Sequence, residues 1–241
     1  MPRRTELYLY NNQRKIFKND ITNIKDLFFE RIFPVFSNAE QEATEYQETL
    51  WNNLMEQPCC SEDGYPIDPA DFVDSIQEEG FNRYEILRLM HYRTITMWLA
   101  CMCQVWEQQL YTFVIQEARN SGIEYSASDI KKGFSFCKDA FEYHNQSFES
   151  MTCWKKIKEL RLLVNVIKHA EGDSEIQLRK IRPDFFTYDS GAGDIDLLQL
   201  YKSTLLEPTM QVSEQDFNEY YNALITFWDE LPERMISSIE I

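Results

Sequence analysis

Three features of this 241-residue chain predict an all-α fold, a bundle of long antiparallel helices carrying an N-terminal helical extension. Glycine is scarce, at 7 residues, which favours long uninterrupted elements over many tight turns. Apolar residues make up 44% of the chain and aromatic residues 14%, enough for a sizeable core. Several stretches also repeat their apolar residues at the three-and-four spacing of a helix face, and residues 153–169 do so most completely.

Taken in order, residues 1–19 are polar and basic with a few aromatic residues, and read as a short strand or an arm. Apolar spacing then predicts a helix from Asp20 to Phe33, stopped by Pro34. Ser37 and Asn38 cap a second, acidic helix running to about Gln57. Residues 58–69, PCCSEDGYPIDP, hold three prolines and a glycine and read as a loop. Asp71 caps a short helix to about Glu79, and Gly80 breaks it. The division expected from this pattern is a helical extension over residues 1–80, regulatory or packed on the main body, and a main helical domain over 81–241.

Residues 82–118 form the longest apolar stretch and the predicted central helix, which Asn120, Ser121 and Gly122 end. A helix starting at Ser128 carries Phe134, Phe141 and His144. The 153–169 helix follows Ser150 or Thr152, Gly172 closes it, and Asp173 with Ser174 caps a short helix stopped by Pro183. Residues 189–194, DSGAGD, lack the spacing of a phosphate-binding loop and read as a connection. A short strand is expected at 205–212. The last helix begins at its cap Ser213 and turns Phe217, Tyr220, Tyr221, Leu224, Phe227 and Trp228 inward.

The net charge of −16 argues against general affinity for nucleic acid or membrane. Residues 153–182 reverse it, with eight basic side chains against four acidic, a local +4 that leaves −20 for the rest. Such a segment either concentrates an anionic ligand or pairs with the protein's own carboxylates. Six cysteines, at 59, 60, 101, 103, 137 and 153, show no zinc-site spacing and read as reduced, buried thiols, with Cys101 and Cys103 pointing apart. Residues 1–15 contain no apolar core of signal-peptide length, and no run approaches the 18 or more residues of a membrane helix. A cytoplasmic protein with no membrane association, metal or cofactor is the expectation.

Within 153–169, apolar residues cover well over half of the helix circumference. Trp154, Lys158, Arg161, Asn165, Lys168 and His169 share the remaining stripe. A helix buried on most sides is expected to turn such a stripe toward a partner, ligand or cleft. His169, at the C-terminal turn, is suited to general acid or base chemistry near neutral pH. Arg161 and Lys168 can hold a phosphate, Asn165 can orient the phosphate or a ribose hydroxyl, Lys158 adds a cation and Trp154 can stack a base. That set suits metal-independent cleavage of RNA by its own 2′-hydroxyl. The competing reading makes His169 a helix cap, Asn165 a bridge between helices and Trp154 a packing residue. His91 reads as a satisfied structural histidine, and His144 as a cap or surface residue.

The spacing Trp154, Ile157, Glu159-Leu160-Arg161, Asn165, His169 and Gly172 resembles the penultimate helix of HEPN domains, the all-α nucleotide-binding and RNase domains of prokaryotic toxins and phage defence. The segment VWEQQL with Glu107 resembles their first core helix, and residues 213–231 their last. The resemblance implies His169, Arg161 and Asn165 as catalytic residues at a homodimer interface, where paired stripes build a composite site. It also implies RNA or a nucleotide as ligand, and an antitoxin or sensor protein as partner. In RNase members an arginine immediately precedes the asparagine. Here Val164 takes that place and Arg161 lies three residues earlier, with Lys168 as the other available cation. A non-catalytic module binding nucleotide, RNA or protein is the alternative, and a purely partner-binding acidic helical protein a third.

Overall fold

Arg4–Tyr8 buries Thr5 and Leu7 and turns the residues between them outward, the two-residue period of a strand. In the computed structural model, which describes residues 4–56, 68–189, 191 and 193–240, this segment is β1. Helix α1 (Asn11–Leu27) begins well before the expected Asp20 and runs into a wider turn at Phe28–Ile32 and a tighter one at Phe33–Phe36. Pro34, which has no N–H to donate, sits in that last turn. Helix α2 (Ala39–Met55) follows as expected, although Asn38 makes no side-chain capping bond. The loop expected at 58–69 falls almost wholly outside the described residues, as do Cys59 and Cys60.

The break expected at Gly80 does not occur. Helix α3 (Val73–Asn120) runs unbroken for 48 residues, about 72 Å at 1.5 Å per residue, so the expected boundary near residue 80 lies inside a helix. A β-carbon at 80 would overlap the Gln47 side chain, whose Nε2 donates to the Gln77 carbonyl at 3.2 Å. Glycine here serves a close approach of α2 to α3. Gly122, at φ +71°, turns the chain out of α3 as its sequence position predicts.

A single turn, α4 (Ala127–Ile130), is capped by Ser126 and separated by Gly133 from α5 (Phe134–Tyr143). His144 ends α5 and is buried rather than on the surface. Its Nδ1 lies 2.7 Å from the Ala140 carbonyl and its Nε2 3.1 Å from Thr5 Oγ1, so it links α5 to β1. Helix α6 (Trp154–His169) and α7 (Asp173–Ile181) are joined through Ala170 and Gly172, both at positive φ. A small hairpin, β2 (Tyr188–Asp189) and β3 (Asp194–Ile195), stands where a plain connection was expected. After α8 (Leu197–Tyr201) no strand forms at 205–212. That segment turns back, and its Gln211 N–H donates to the Phe185 carbonyl at 2.8 Å.

Helix α9 (Glu214–Glu230) opens on the reciprocal bonds of a capping box, Ser213 with Asp216, and buries Phe217, Tyr220, Leu224, Phe227 and Trp228 as its spacing requires. Strand β4 (Arg234–Glu240) was not expected. It pairs antiparallel with β1, Leu7 opposite Met235 and Tyr8 opposite Arg234, and so ties the two ends of the described chain together.

The core lies where α1, α3, α6 and α9 meet. Trp106, Leu110 and Phe113 of α3, Ile157, Leu160 and Leu163 of α6, and Phe227 and Trp228 of α9 are fully buried there. One polar group sits among them with both ends satisfied. Gln109 accepts from Trp228 Nε1 at 3.2 Å and donates to the Phe17 carbonyl at 3.0 Å, joining three helices. The fold is all-α apart from the two short ribbons. Among the described residues no helix is long and apolar enough to cross a membrane.

Candidate functional site

Leucine, lysine and arginine are strong helix formers, and Lys168 and His169 in the last turn of α6 lie at the negative end of its dipole. The helix buries Trp154, Ile157, Leu160, Leu163, Val164, Val166 and Ile167. Its polar stripe is not enclosed within the chain. Lys158, Asn165, Lys168 and His169 are exposed, because no element among the described residues covers that side of α6.

Trp154 leaves the stripe. It is 8% exposed, lies parallel to Phe134 with ring centroids 6.0 Å apart, and also contacts Phe148 at 5.2 Å. It packs the core and presents no face to a base.

Arg161 occupies the flank of the stripe toward α3. Its Nε donates to Glu107 Oε1 at 2.7 Å, and the guanidinium carbon lies 3.5 Å from the centroid of the Phe134 ring. Lys168 Nζ donates to Gln104 Oε1 at 3.1 Å. Gln104 and Glu107 are one turn apart on α3 and meet residues two turns apart on α6 in reversed order, so the two helices run antiparallel along this seam. Asn165 Nδ2 donates to Ser174 Oγ at 3.3 Å, which ties the stripe to the first turn of α7. Among the described residues Lys158 and His169 have no hydrogen-bond or ion-pair partner. His169 stands eight residues beyond Arg161, about 12 Å along the axis, while Arg161 bends away toward α3.

Of the eight basic residues at 153–182, four are neutralised internally: Lys156, Arg161, Arg179 and Arg182. Among the described residues Lys155, Lys158, Lys168 and Lys180 form no ion pair, so half of these eight cations are left without a carboxylate. The neutralised part includes a network on the side of α6 turned away from Asn165. Glu159 Oε1 accepts from Arg182 Nη1 at 2.8 Å, Lys156 Nζ at 3.0 Å and the Tyr220 hydroxyl at 2.8 Å. Arg182 also donates to Asp216 at 2.8 Å and to Asp184 at 2.6 Å. The carboxylate at Glu159 and the burial of the ring raise the Tyr220 pKa, and burial is the larger cause. Two local pairs, Lys156 with Glu159 and Arg182 with Asp184, are joined by contacts of Arg182 with Glu159 and Asp216 and of Tyr220 with Glu159, which span 23, 34 and 61 residues of sequence.

Burial pushes the thiols of Cys103, Cys137 and Cys153 up to about 12, which leaves them protonated and unreactive. Cys101 is exposed, so it and Cys103 point apart as expected. Among the described residues no three His, Cys, Asp or Glu side chains are placed to hold a metal ion. Glu107 was legible only as part of a resembling segment. Ser174, expected to cap α7, makes no capping bond and holds Asn165 instead, and Gln104, which holds Lys168, carried no signal at all.

Known proteins add nothing to this geometry. Protein-family models, curated proteins and solved structures all give no match.

Proposed function

We propose that the open face of α6 binds RNA phosphates and that the chain is a HEPN-like, metal-independent endoribonuclease whose complete site forms when two copies bring these faces together. The observation that carries this reading is His169, exposed and, among the described residues, unpartnered, with Lys168 and Asn165 within one turn of it and Lys158 three turns back on the same face of a chain otherwise strongly acidic. Its imidazole accepts the proton of a ribose 2′-hydroxyl as the 2′-oxygen bonds to the adjacent phosphorus. The bond from phosphorus to the 5′-oxygen breaks, and that oxygen takes a proton from a second imidazolium. The products are a 2′,3′-cyclic phosphate and a 5′-hydroxyl. Acid and base are two groups, and this face supplies one histidine, so the second comes from the other copy. Lys168 neutralises the scissile phosphate, Asn165 positions it, and Lys158, three turns back from His169, meets a phosphate farther along the strand. An antitoxin or sensor protein would regulate such an enzyme.

Incubation with mixed-sequence RNA and total tRNA in EDTA, wild type beside His169→Ala, tests it. Cleavage to cyclic-phosphate ends that disappears in the variant supports the reading. Undiminished cleavage by folded His169→Ala removes His169 from the mechanism. A specific observation favours a second reading, a module that binds RNA or nucleotide without cleaving it: Arg161 is held by Glu107 and Phe134 rather than reaching toward His169. RNA retention with no cleavage by either protein selects that reading.

A further inference from the structure

A cleft of about 740 Å³ opens between α3, the side of α6 turned away from Asn165, the 208–213 segment and the first turns of α9. Arg88, His91 and Tyr92 enter it from α3 at positions i, i+3 and i+4, which places them on one helix face. Each leaves a buried polar atom without a hydrogen-bond partner: Arg88 Nε, His91 Nε2 and the Tyr92 hydroxyl. Tyr92 is 7% exposed, and its hydroxyl approaches Thr209 without reaching hydrogen-bond geometry. Thr209 Oγ1 is itself buried and unpartnered. Elsewhere among the described residues only Arg83 Nε and Trp106 Nε1 share that condition, so the unsatisfied polar groups are concentrated at this one place. His91, expected to be a satisfied structural histidine, packs its ring on Phe33 and Phe36 but leaves this nitrogen open. Buried polar groups need partners, and a cluster without them marks a site for a complementary molecule.

The charges around the cleft decide what kind of molecule. Arg88 is paired with Glu85, Lys156 with Glu159 and Glu219, and Arg182 with Glu159, Asp184 and Asp216. The lining holds three cations, Arg88, Lys156 and Arg182, against three carboxylates, and every one of the three cations is already paired, so an anion meets no unpaired cation. His91 is kept neutral by its burial, against the pull of Glu214. What is offered is a set of hydrogen-bonding groups without unpaired charge: the Nε–H donor of the Arg88 guanidinium, whose charge Glu85 balances, a hydroxyl at Tyr92, and an imidazole nitrogen that donates or accepts with its tautomer. Ile95, Met210 and Val212 supply an apolar wall beside them.

We propose that this cleft binds a small uncharged molecule bearing a carboxamide or lactam group. Its carbonyl oxygen takes the Arg88 Nε–H and Tyr92 O–H donors, its N–H meets His91 Nε2, and its apolar body lies along Ile95 and Met210. This site is independent of the α6 face and of its proposed chemistry.

Titration of the full chain with benzamide, uracil and benzoate, followed by two-dimensional amide NMR and calorimetry, tests the proposal. Benzamide or uracil should saturate the protein, shift the Arg88–Tyr92 resonances, and bind at least about tenfold more tightly than the anionic benzoate. Tyr92→Phe keeps the ring and removes only the hydroxyl. It should weaken the amide ligand about fivefold or more while raising the thermal midpoint of the unliganded protein, because a buried unpaired group is gone. Lys168→Ala, on the other side of α6, should leave the affinity unchanged. Benzoate binding as well as benzamide, no saturation by either amide, or full amide affinity in folded Tyr92→Phe would each overturn the assignment.

Discussion

Arg161 and Glu107 are joined across the seam between α3 and α6, Nε to Oε1 at 2.7 Å, with the guanidinium lying on the Phe134 ring. Side chains less than a third exposed, 29% and 27%, place this pair between a surface ion pair and a buried one. It takes the one arginine of the stripe partly out of reach of a ligand.

Glu107→Gln keeps the shape and removes the charge. It should cost about 1 kcal/mol in stability, read by urea denaturation. Arg161, released from its carboxylate, should then tighten RNA binding several-fold and steepen the salt dependence by about one charge. Unchanged RNA affinity in this variant would place Arg161 outside the binding surface.

Lys158 and Lys168 are exposed and, among the described residues, pair with no carboxylate, so their replacement costs only the exposed bond from Lys168 to Gln104. Lys158→Glu combined with Lys168→Glu should shift stability by no more than about 0.5 kcal/mol. The same protein should lose RNA retention at low salt, where phosphate contacts are strongest. A gel-shift titration beside a melting curve reads both.

Burial lowers the pKa values of His144 and His91 below the ordinary 6.5. The unfolded chain therefore binds protons on these rings before the folded chain does. Their contribution to stability is complete above about pH 6.5 and declines as pH falls through the lowered native values. Urea midpoints should drop between about pH 7 and pH 5, and His144→Gln should flatten part of that drop. An unchanged slope would mean that other groups carry it.

Gly80 lies inside α3, where alanine ordinarily gains about 1 kcal/mol over glycine. Its missing β-carbon makes room for Gln47, so Gly80→Ala alone should gain less than that. In a Gln47→Ala background the full gain should return, and a double-mutant cycle measures the coupling. Additive effects would show that α2 does not depend on this contact.

Local signals decided much of the fold. The Ser213 and Asp216 pair that opens α9, the apolar periods of α6 and α9, and Gly122 at the end of α3 act within one or two turns of chain, and each is found where the sequence predicts it. The sequence by itself thus determined the all-α class, most helix positions, and a polar stripe at Lys158, Asn165, Lys168 and His169. Tertiary structure alone decided which groups meet. Strand β4 pairs with a β1 more than 200 residues away, Gly80 answers to Gln47 rather than to its own helix, Trp154 turns to Phe134, and Arg161 to Glu107. Periodicity shows that a face is apolar or polar, but not what covers it. Helix packing brings together residues whose separation along the chain carries no trace of their contact, and that packing left the stripe open to solvent and gathered Arg88, His91 and Tyr92 around a cleft.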